Sequence, residues 1–400
     1  MSRLLITANS PGEMAGWVRP ILHQWHRLGL GPADILLLPC SFATGQEERV
    51  ARTLPGVDHV YRPGDYFKLL LSEGRRYQGG TLLHLGGDLM YSAFLSWRWK
   101  LNAWSYLWAR PWWNSAFCGY FTKDQWGINW LKKRRVSEDR IHLTGDLVLD
   151  AVRQHVPEST LEKARQISYL PGSRTHELAG LAPFFLDLHR RLQEKHPDLE
   201  GVLHLSPFLP KEEVGQLLGR APDPKVGGVQ GSFDGRYLRN GETSLTVSSE
   251  NHYQDLSRSC LAISIPGTKT AEAGYLRTPL LTILPLNRPE HLPSIGLAGL
   301  LDFIPGGAHL KGRILVGLRP RVPLFAHPNI LAGRPLLPEV VEPLQSESLA
   351  RLVLHILDEK EKLRRVSELL EGLYPWSAQP AESLVARMVD GAKRPAIRHP

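Results

Sequence analysis

The sequence predicts an α/β protein made of two doubly wound domains. Short, continuously apolar runs alternate with amphipathic segments along most of its 400 residues, and a run apolar at every position belongs in a parallel sheet covered on both faces. The pattern is played through twice, on either side of a polar break at Pro157-Glu158-Ser159-Thr160. A chain of this length can bury two separate cores.

The elements follow in order. Residues 3–8 read as a strand that runs into Asn9-Ser10-Pro11-Gly12-Glu13 and then a helix over 15–28. Further buried strands are expected at 35–38, at 81–85 ahead of Gly86-Gly87-Asp88, at 117–122, and at 141–143 ahead of Thr144-Gly145-Asp146, with helices at 46–54 and 148–155. In the second half, strands are expected at 167–170, 201–205, 244–247, 261–265 and 280–284, and helices at 178–194, 211–218, 253–257, 346–370 and 381–389. The Pro- and Gly-rich stretch 285–326 reads as an irregular insertion. The expected organisation is a first domain over 1–160, a second over 161–370, and a tail over 371–400 that packs back on the first.

Composition narrows the class. Apolar content of 42% and charged content of 22% suit a globular protein. No run of 18 or more apolar residues calls for a membrane-spanning helix, and the apolar Leu4-Leu5-Ile6 is too short for a secretory leader. Cys40, Cys118 and Cys260 are scattered and odd in number, which suits a reducing cytoplasm and offers no metal-ligand spacing, so no metal or cofactor is expected. A formal charge of +8 admits an acidic partner, whether nucleic acid, anionic lipid or a phosphorylated substrate.

Two stretches look like copies of one device: Leu170-Pro171-Gly172-Ser173-Arg174-Thr175-His176-Glu177 and Ile265-Pro266-Gly267-Thr268-Lys269-Thr270-Ala271-Glu272. Each follows an apolar run and opens a helix. Such a turn leaves backbone N–H groups and the positive end of a helix dipole at one spot, which suits a phosphate. Gly172 and Gly267 allow close approach, Ser173, Thr268 and Thr270 offer hydroxyls, and Arg174 and Lys269 add charge. The plainer alternative is a common Pro-Gly turn with a Ser or Thr helix cap.

Seven of the eleven tryptophans fall within residues 97–126, interleaved with Arg98, Lys100, Arg110 and Lys123. Within a segment spanning 92–135, Trp104, Trp108, Trp112 and Trp113 are candidates for contact with a membrane interface, where indole sits at the headgroup level and cations meet phosphate. A core or an apolar acceptor pocket is the alternative of equal weight. Stacking on single-stranded nucleic acid is a weaker one, and no nucleic-acid motif accompanies it.

The chain resembles the lipid A disaccharide synthase family. The resemblance rests on Leu170-Pro171-Gly172-Ser173-Arg174 with Glu177, on Pro266-Gly267-Thr268 with Thr270 and Glu272, and above all on Pro328-Asn329-Ile330-Leu331-Ala332-Gly333-Arg334 with Leu336, Pro338 and Glu339. Looser matches are Gly12-Glu13-Met14-Ala15-Gly16, Gly87-Asp88, and Thr144-Gly145-Asp146 with Asp150. Trp17 and Cys260 stand where the family carries aspartates, and 285–326 exceeds the family's length there. The resemblance implies two Rossmann-like domains facing across a cleft, the GT-B type. It implies an inverting glycosyltransferase, at the inner face of the cell membrane, that moves a sugar from a UDP-sugar to a lipid-linked acceptor. A homodimer is possible in the family. A UDP-sugar epimerase of the same fold and a non-catalytic lipid-binding protein are the rivals.

The same resemblance implies roles. Glu272 would take the ribose hydroxyls, with a solvated first-turn glutamate as the alternative. Arg174 would offset charge on the leaving UDP; otherwise it pairs with Glu177. Asn329 would lie beside the donor sugar, or else close a turn. Asp88 is the first candidate for the general base and Glu13 the second, ahead of His252 and His176. For Asp88 a helix N-cap is the alternative.

Overall fold

The computed structural model describes residues 3–40, 43–72, 74–158, 163–249, 252–288 and 324–392, so nearly all of the expected insertion lies outside the described residues. The chain forms two compact units, Met1–Gln154 with Trp376–Pro400, and His155–Pro375.

The first unit holds a seven-stranded, wholly parallel sheet of order β3-β2-β1-β4-β5-β6-β7. Its strands are β1 (Leu4–Ala8), β2 (Ala33–Leu37), β3 (Val57–Tyr61), β4 (Thr81–His84), β5 (Asn102–Tyr106), β6 (Gly119–Thr122) and β7 (Ile141–Leu143). β1, β2, β4, β5 and β6 are buried at every position, as helices on both faces require. The helix Pro380–Ala392 belongs to this unit, packing on the helices Arg19–Arg27 and Leu147–Arg153. Asp150 accepts the amide of Ala381 at 2.6 Å, which ties that helix down.

The second unit carries an eight-stranded sheet of order β10-β11-β12-β9-β8-β13-β14-β15. Its strands are β8 (Ala164–Leu170), β9 (Glu200–His204), β10 (Ser232–Phe233), β11 (Tyr237–Asn240), β12 (Thr243–Ser248), β13 (Ser259–Ser264), β14 (Leu280–Pro285) and β15 (Glu339–Glu342). β12 through β15 in that order run parallel, and β10 and β11 add an antiparallel ribbon at one edge.

Each sheet has one point where the chain crosses from one side of its first strand to the other. It lies between β1 and β4 in the first unit and between β8 and β13 in the second. In open α/β sheets, ligands bind beyond the carboxyl ends of the strands at such points. Both Pro-Gly turns leave the strands that flank the second unit's point.

Five strands escaped the sequence reading: β3, β5, β15 and the two of the antiparallel ribbon, β10 and β11. β3 is a polar sheet edge, with Asp58 and His59 exposed. β15 is only four residues long. β5 lies inside the tryptophan-rich segment, and Trp104 is one of its buried residues, 4% exposed and stacked on Phe121 at 5.2 Å between ring centres. The expectation that Trp104 meets lipid is therefore corrected: an indole in the middle of a parallel sheet has no face to offer. Trp108 and Trp112 are 43% and 64% exposed, and Trp113 packs against Phe94 and Trp97. The expected helix 346–370 is two helices, Ser346–Asp358 and Lys360–Leu373, parted where Glu359 leaves helical geometry at ψ 54°.

Candidate functional site

β8 and β13 are hydrogen-bonded neighbours in register, with Leu170 opposite Ser264, so the two Pro-Gly turns emerge side by side. They touch: a Cβ added to Gly172 would fall 2.6 Å from Ile265 Cδ1. Gly172 also has φ 112°, which only glycine adopts without strain.

The two turns use their amides differently. In the first, Glu177 folds back and accepts the amides of Ser173 at 2.9 Å and Arg174 at 3.0 Å, while the Arg174 guanidinium pairs with its other oxygen at 3.0 Å. The expectation that these amides stand open is thus corrected: a capping box already occupies them. In the second turn the amides of Gly267, Thr268 and Lys269 donate to nothing among the described residues, and Thr268 makes no side-chain cap. The amides left open are therefore those of the second turn, with Arg174 beside the first.

Glu272 lies one helical turn further on and is 1% exposed. Its Oε2 accepts from Lys269 Nζ at 2.7 Å and faces His252 Nε2 at 3.1 Å, while its Oε1 is buried with no partner among the described residues. Burial alone would push this carboxyl up; the Lys269 ammonium outweighs it and holds the group down at about 2. The exposed first-turn glutamate is excluded. Beneath lies a fully polar floor in which His252 meets His204 at 3.0 Å, His204 meets Ser168 at 2.7 Å, and Ser168 meets Ser259 at 2.7 Å. Burial lowers the pKa of both imidazoles, so both are neutral.

Two expected contacts turn out to be structural. Thr270 is buried, and its hydroxyl donates to the Gly267 carbonyl at 2.8 Å and accepts the His327 amide at 3.1 Å. It shapes the turn. Asn329 is also buried; its amide nitrogen donates to Glu339 at 2.9 Å and to the Leu337 carbonyl at 3.3 Å, and its oxygen accepts the Leu336 amide at 2.9 Å. Glu339 meanwhile accepts the amides of Phe325 and Ala326. Asn329 and Glu339 of the Pro328–Glu339 motif thus bind each other, pinning the helix His327–Ala332 to β15.

The first unit's crossing point brings Glu13 and Gly86-Gly87-Asp88 together, after β1 and β4. Glu13 Oε2 accepts the amides of Asn9 at 2.9 Å and Ser10 at 3.2 Å. It rests so closely on Gly86 that a Cβ there would fall 1.9 Å from the carboxylate. No cation faces Glu13 among the described residues; burial drives its pKa up to about 7 although the two amides pull the other way. Asp88 caps the helix Leu89–Trp99 by accepting the Met90 amide at 2.9 Å and pairs with Arg110 at 3.2 Å. Below them His84, Thr7 and Ser92 form a buried triangle of hydrogen bonds, and burial takes His84 down to about 3. His176 lies half-buried inside the first Pro-Gly turn.

One acid cluster was not read from the sequence. Asp34, Asp58 and His59 come within metal-ligand reach of one another. Arg3 bonds both aspartates at 2.6 Å and Arg76 reaches both, at 3.3 and 3.2 Å, so the cluster is an ion-pair knot that fastens β2 to β3.

No family model matches the chain. It is similar to curated lipid-A-disaccharide synthases: 24% identical over 55% of this chain and 47% of the protein from Solibacter usitatus, and 25% over 58% of this chain and 53% of that from Persephonella marina. A third, from Trichlorobacter lovleyi, is 34% identical over 36% of this chain and 34% of its own. The chain thus spans about half or less of the length of the curated relatives it matches. Among solved structures, UDP-GlcNAc 2-epimerase from Neisseria meningitidis bound to UDP-GlcNAc superposes with a TM-score of 0.54 at 13% identity, covering 97% of this chain and 99% of that one. The wall teichoic acid polymerase TagF gives 0.50 at 11%, covering 98% and 89%. The fold is two Rossmann-like units of the GT-B type, and the sequence is similar to the synthases at low identity over about half the chain.

Proposed function

We propose that this protein is an inverting glycosyltransferase that uses a UDP-sugar donor and a lipid-linked acceptor, as the synthases it resembles do. The observation that carries the reading is the pair of adjacent turns at the second unit's crossing point. They combine three amides at Gly267–Lys269 unused among the described residues, the Arg174 guanidinium, and a buried, ionised Glu272 with one oxygen that lacks a donor among those residues. The diphosphate takes the amides and Arg174, and a pair of ribose hydroxyls takes Glu272. Arg174 then offsets charge growing on the UDP leaving group.

Inverting transfer needs a base for the acceptor hydroxyl. We assign it to Glu13. A carboxylate whose pKa lies at about 7 both accepts and releases a proton near neutrality, whereas Asp88 is committed to a helix cap and to Arg110. The exposed Trp108 and Trp112, flanking Arg110, form the lipid-facing edge. No helix among the described residues is long and apolar enough to cross a membrane, so attachment is peripheral in this reading.

The test is to incubate the full chain with UDP-2,3-diacylglucosamine and 2,3-diacylglucosamine 1-phosphate and to follow UDP release and the disaccharide by mass spectrometry. Release of UDP together with a joined product supports the transferase. An epimerase is the second reading, because the fold matches one. It predicts interconversion of UDP-N-acetylglucosamine alone, with no acceptor. Absence of any UDP binding removes both.

A further inference from the structure

We propose that Lys269 is an exchangeable counterion: it neutralises Glu272 while the site is empty and moves to the phosphates when a nucleotide binds. The His252–His204–Ser168 chain then reverses its hydrogen bonds, so that His252 donates to Glu272 in the lysine's place. This rests on the nucleotide site proposed above.

The direction of the chain in the empty site follows from donor counting. An ammonium has only N–H donors. Lys269 Nζ lies 2.7 Å from Glu272 Oε2 and 2.9 Å from His252 Nε2, so it donates to both and His252 Nε2 must accept. The His252 ring proton is therefore on Nδ1, which donates to His204 Nδ1 at 3.0 Å. The His204 proton is in turn on Nε2, donating to Ser168 Oγ at 2.7 Å. Ser168 donates to Ser259 at 2.7 Å, and Ser259 to the Asp255 carbonyl at 3.1 Å.

Every link between His252 and Ser259 can act as donor or acceptor, so the opposite direction is equally satisfied. Ser259 then donates to Ser168, Ser168 to His204 Nε2, His204 Nδ1 to His252 Nδ1, and His252 Nε2 to Glu272 Oε2 across the existing 3.1 Å. Gln166 donates to Ser259 and to the Asp255 carbonyl, both at 2.8 Å, in either direction, so the far end stays satisfied. Each imidazole keeps one ring proton; only the nitrogen that carries it changes, and two hydroxyls turn.

Two features mark the trigger. Glu272 Oε1 is buried without a partner among the described residues, a costly state that an arriving hydroxyl relieves. Lys269 is 29% exposed on a flexible stem, directly after the unused amides of Gly267 and Thr268, so its head can leave Glu272 for phosphate without backbone movement.

The experiment records long-range 1H–15N spectra of the imidazole nitrogens in the full chain during titration with UDP, with calorimetry in parallel and His252→Gln to assign the signal. The expected result is His252 protonated at Nδ1 without UDP and at Nε2 with it, while His204 changes the opposite way. In Lys269→Met the Nε2–H form is expected already without UDP. UDP should bind that variant about tenfold more weakly or worse, since it lacks one charge-assisted contact, while uridine binds no more weakly. If UDP binds the wild type and the His252 tautomer does not change, the proposal is overturned even if Lys269→Met does not fold. If UDP does not bind the wild type, the nucleotide site itself fails.

Discussion

At the first unit's crossing point a buried glutamate, Glu13, accepts two backbone amides and faces no cation among the described residues. At the second unit's crossing point Glu177 accepts two backbone amides in the same way, but Arg174 clamps it at 3.0 Å. One strand over, Lys269 clamps Glu272 at 2.7 Å. Both points rest on buried neutral histidines and hydroxyls, His84 with Thr7 and Ser92 in one, His204 with Ser168 in the other. The backbone device is shared, and burial raises Glu177 as it raises Glu13, with Arg174 pulling the other way; of the three carboxyls it is at Glu272 that the cation wins. A buried carboxyl without a cation holds its proton up to about pH 7, which suits proton transfer. A buried carboxylate beside a cation stays ionised, which suits binding a neutral donor such as a ribose hydroxyl.

The largest effect that would break this comparison lies in turnover. Glu13→Gln should lower kcat for UDP release about a thousandfold, the usual contribution of a general base, while leaving UDP affinity alone. Asp88→Asn should cost far less, because an asparagine still caps the helix. If Asp88→Asn is the silent-turnover variant and Glu13→Gln is nearly normal, the assignment of the base is reversed.

The two points should also respond to pH with opposite signs. The folded pKa of Glu13, about 7, lies above its ordinary 4.5. Its contribution to stability is therefore full below pH 4.5 and is lost as pH rises through 7, by about 3 kcal/mol in all. Glu272 is depressed to about 2, so its contribution is present above 4.5 and is lost as pH falls toward 2. Urea unfolding at a series of pH values checks this. Glutamine mimics the protonated carboxyl, so wild type should lose about 3 kcal/mol relative to Glu13→Gln between pH 4.5 and neutrality, and a flat difference would show that Glu13 carries no such shift.

Much of this was legible before any coordinates, and the exceptions have physical causes. Strands buried on both faces announce themselves as continuous apolar runs, and Pro-Gly corners mark where they turn, so β1, β8 and β13 and their turns could be read directly. β3 and β15 could not, since an edge strand need not be apolar on both faces. Trp104 was misread because an indole looks the same in a sheet as at a lipid surface; only β5 pairing with both β4 and β6 decides it. The histidine floor was invisible because its partners lie 36 and 48 residues apart in sequence. The Asn329–Glu339 pair was within reach, both residues being in one motif, yet no local spacing says that two polar side chains bond each other rather than a ligand.

Binding is the next lever. Glu272→Gln should weaken UDP about a hundredfold, because two charge-assisted hydrogen bonds become neutral ones. Calorimetry with UDP and with ADP reads this directly, and the same variant should leave the Glu13 pH signature unchanged. Loss of that signature in Glu272→Gln would mean the two points are not separable in the way described.

The smallest expected effects come from the glycines, and they sharpen the comparison most. Gly172→Ala adds a Cβ 2.2 Å from Glu177 Oε2, at a φ of 112° that alanine resists. Glu177 must shift and release the Arg174 guanidinium, so UDP affinity should fall about tenfold, equivalent to about 1.4 kcal/mol. Gly86→Ala adds a Cβ 1.9 Å from Glu13 Oε2 instead, at a backbone with no positive φ. It should leave UDP affinity intact and lower kcat about tenfold by turning the carboxylate out of line. Paired UDP titrations and turnover measurements on the two variants separate the effects. If both glycines change the same parameter, the division of labour between an ionised binding carboxylate and a protonatable catalytic one is wrong.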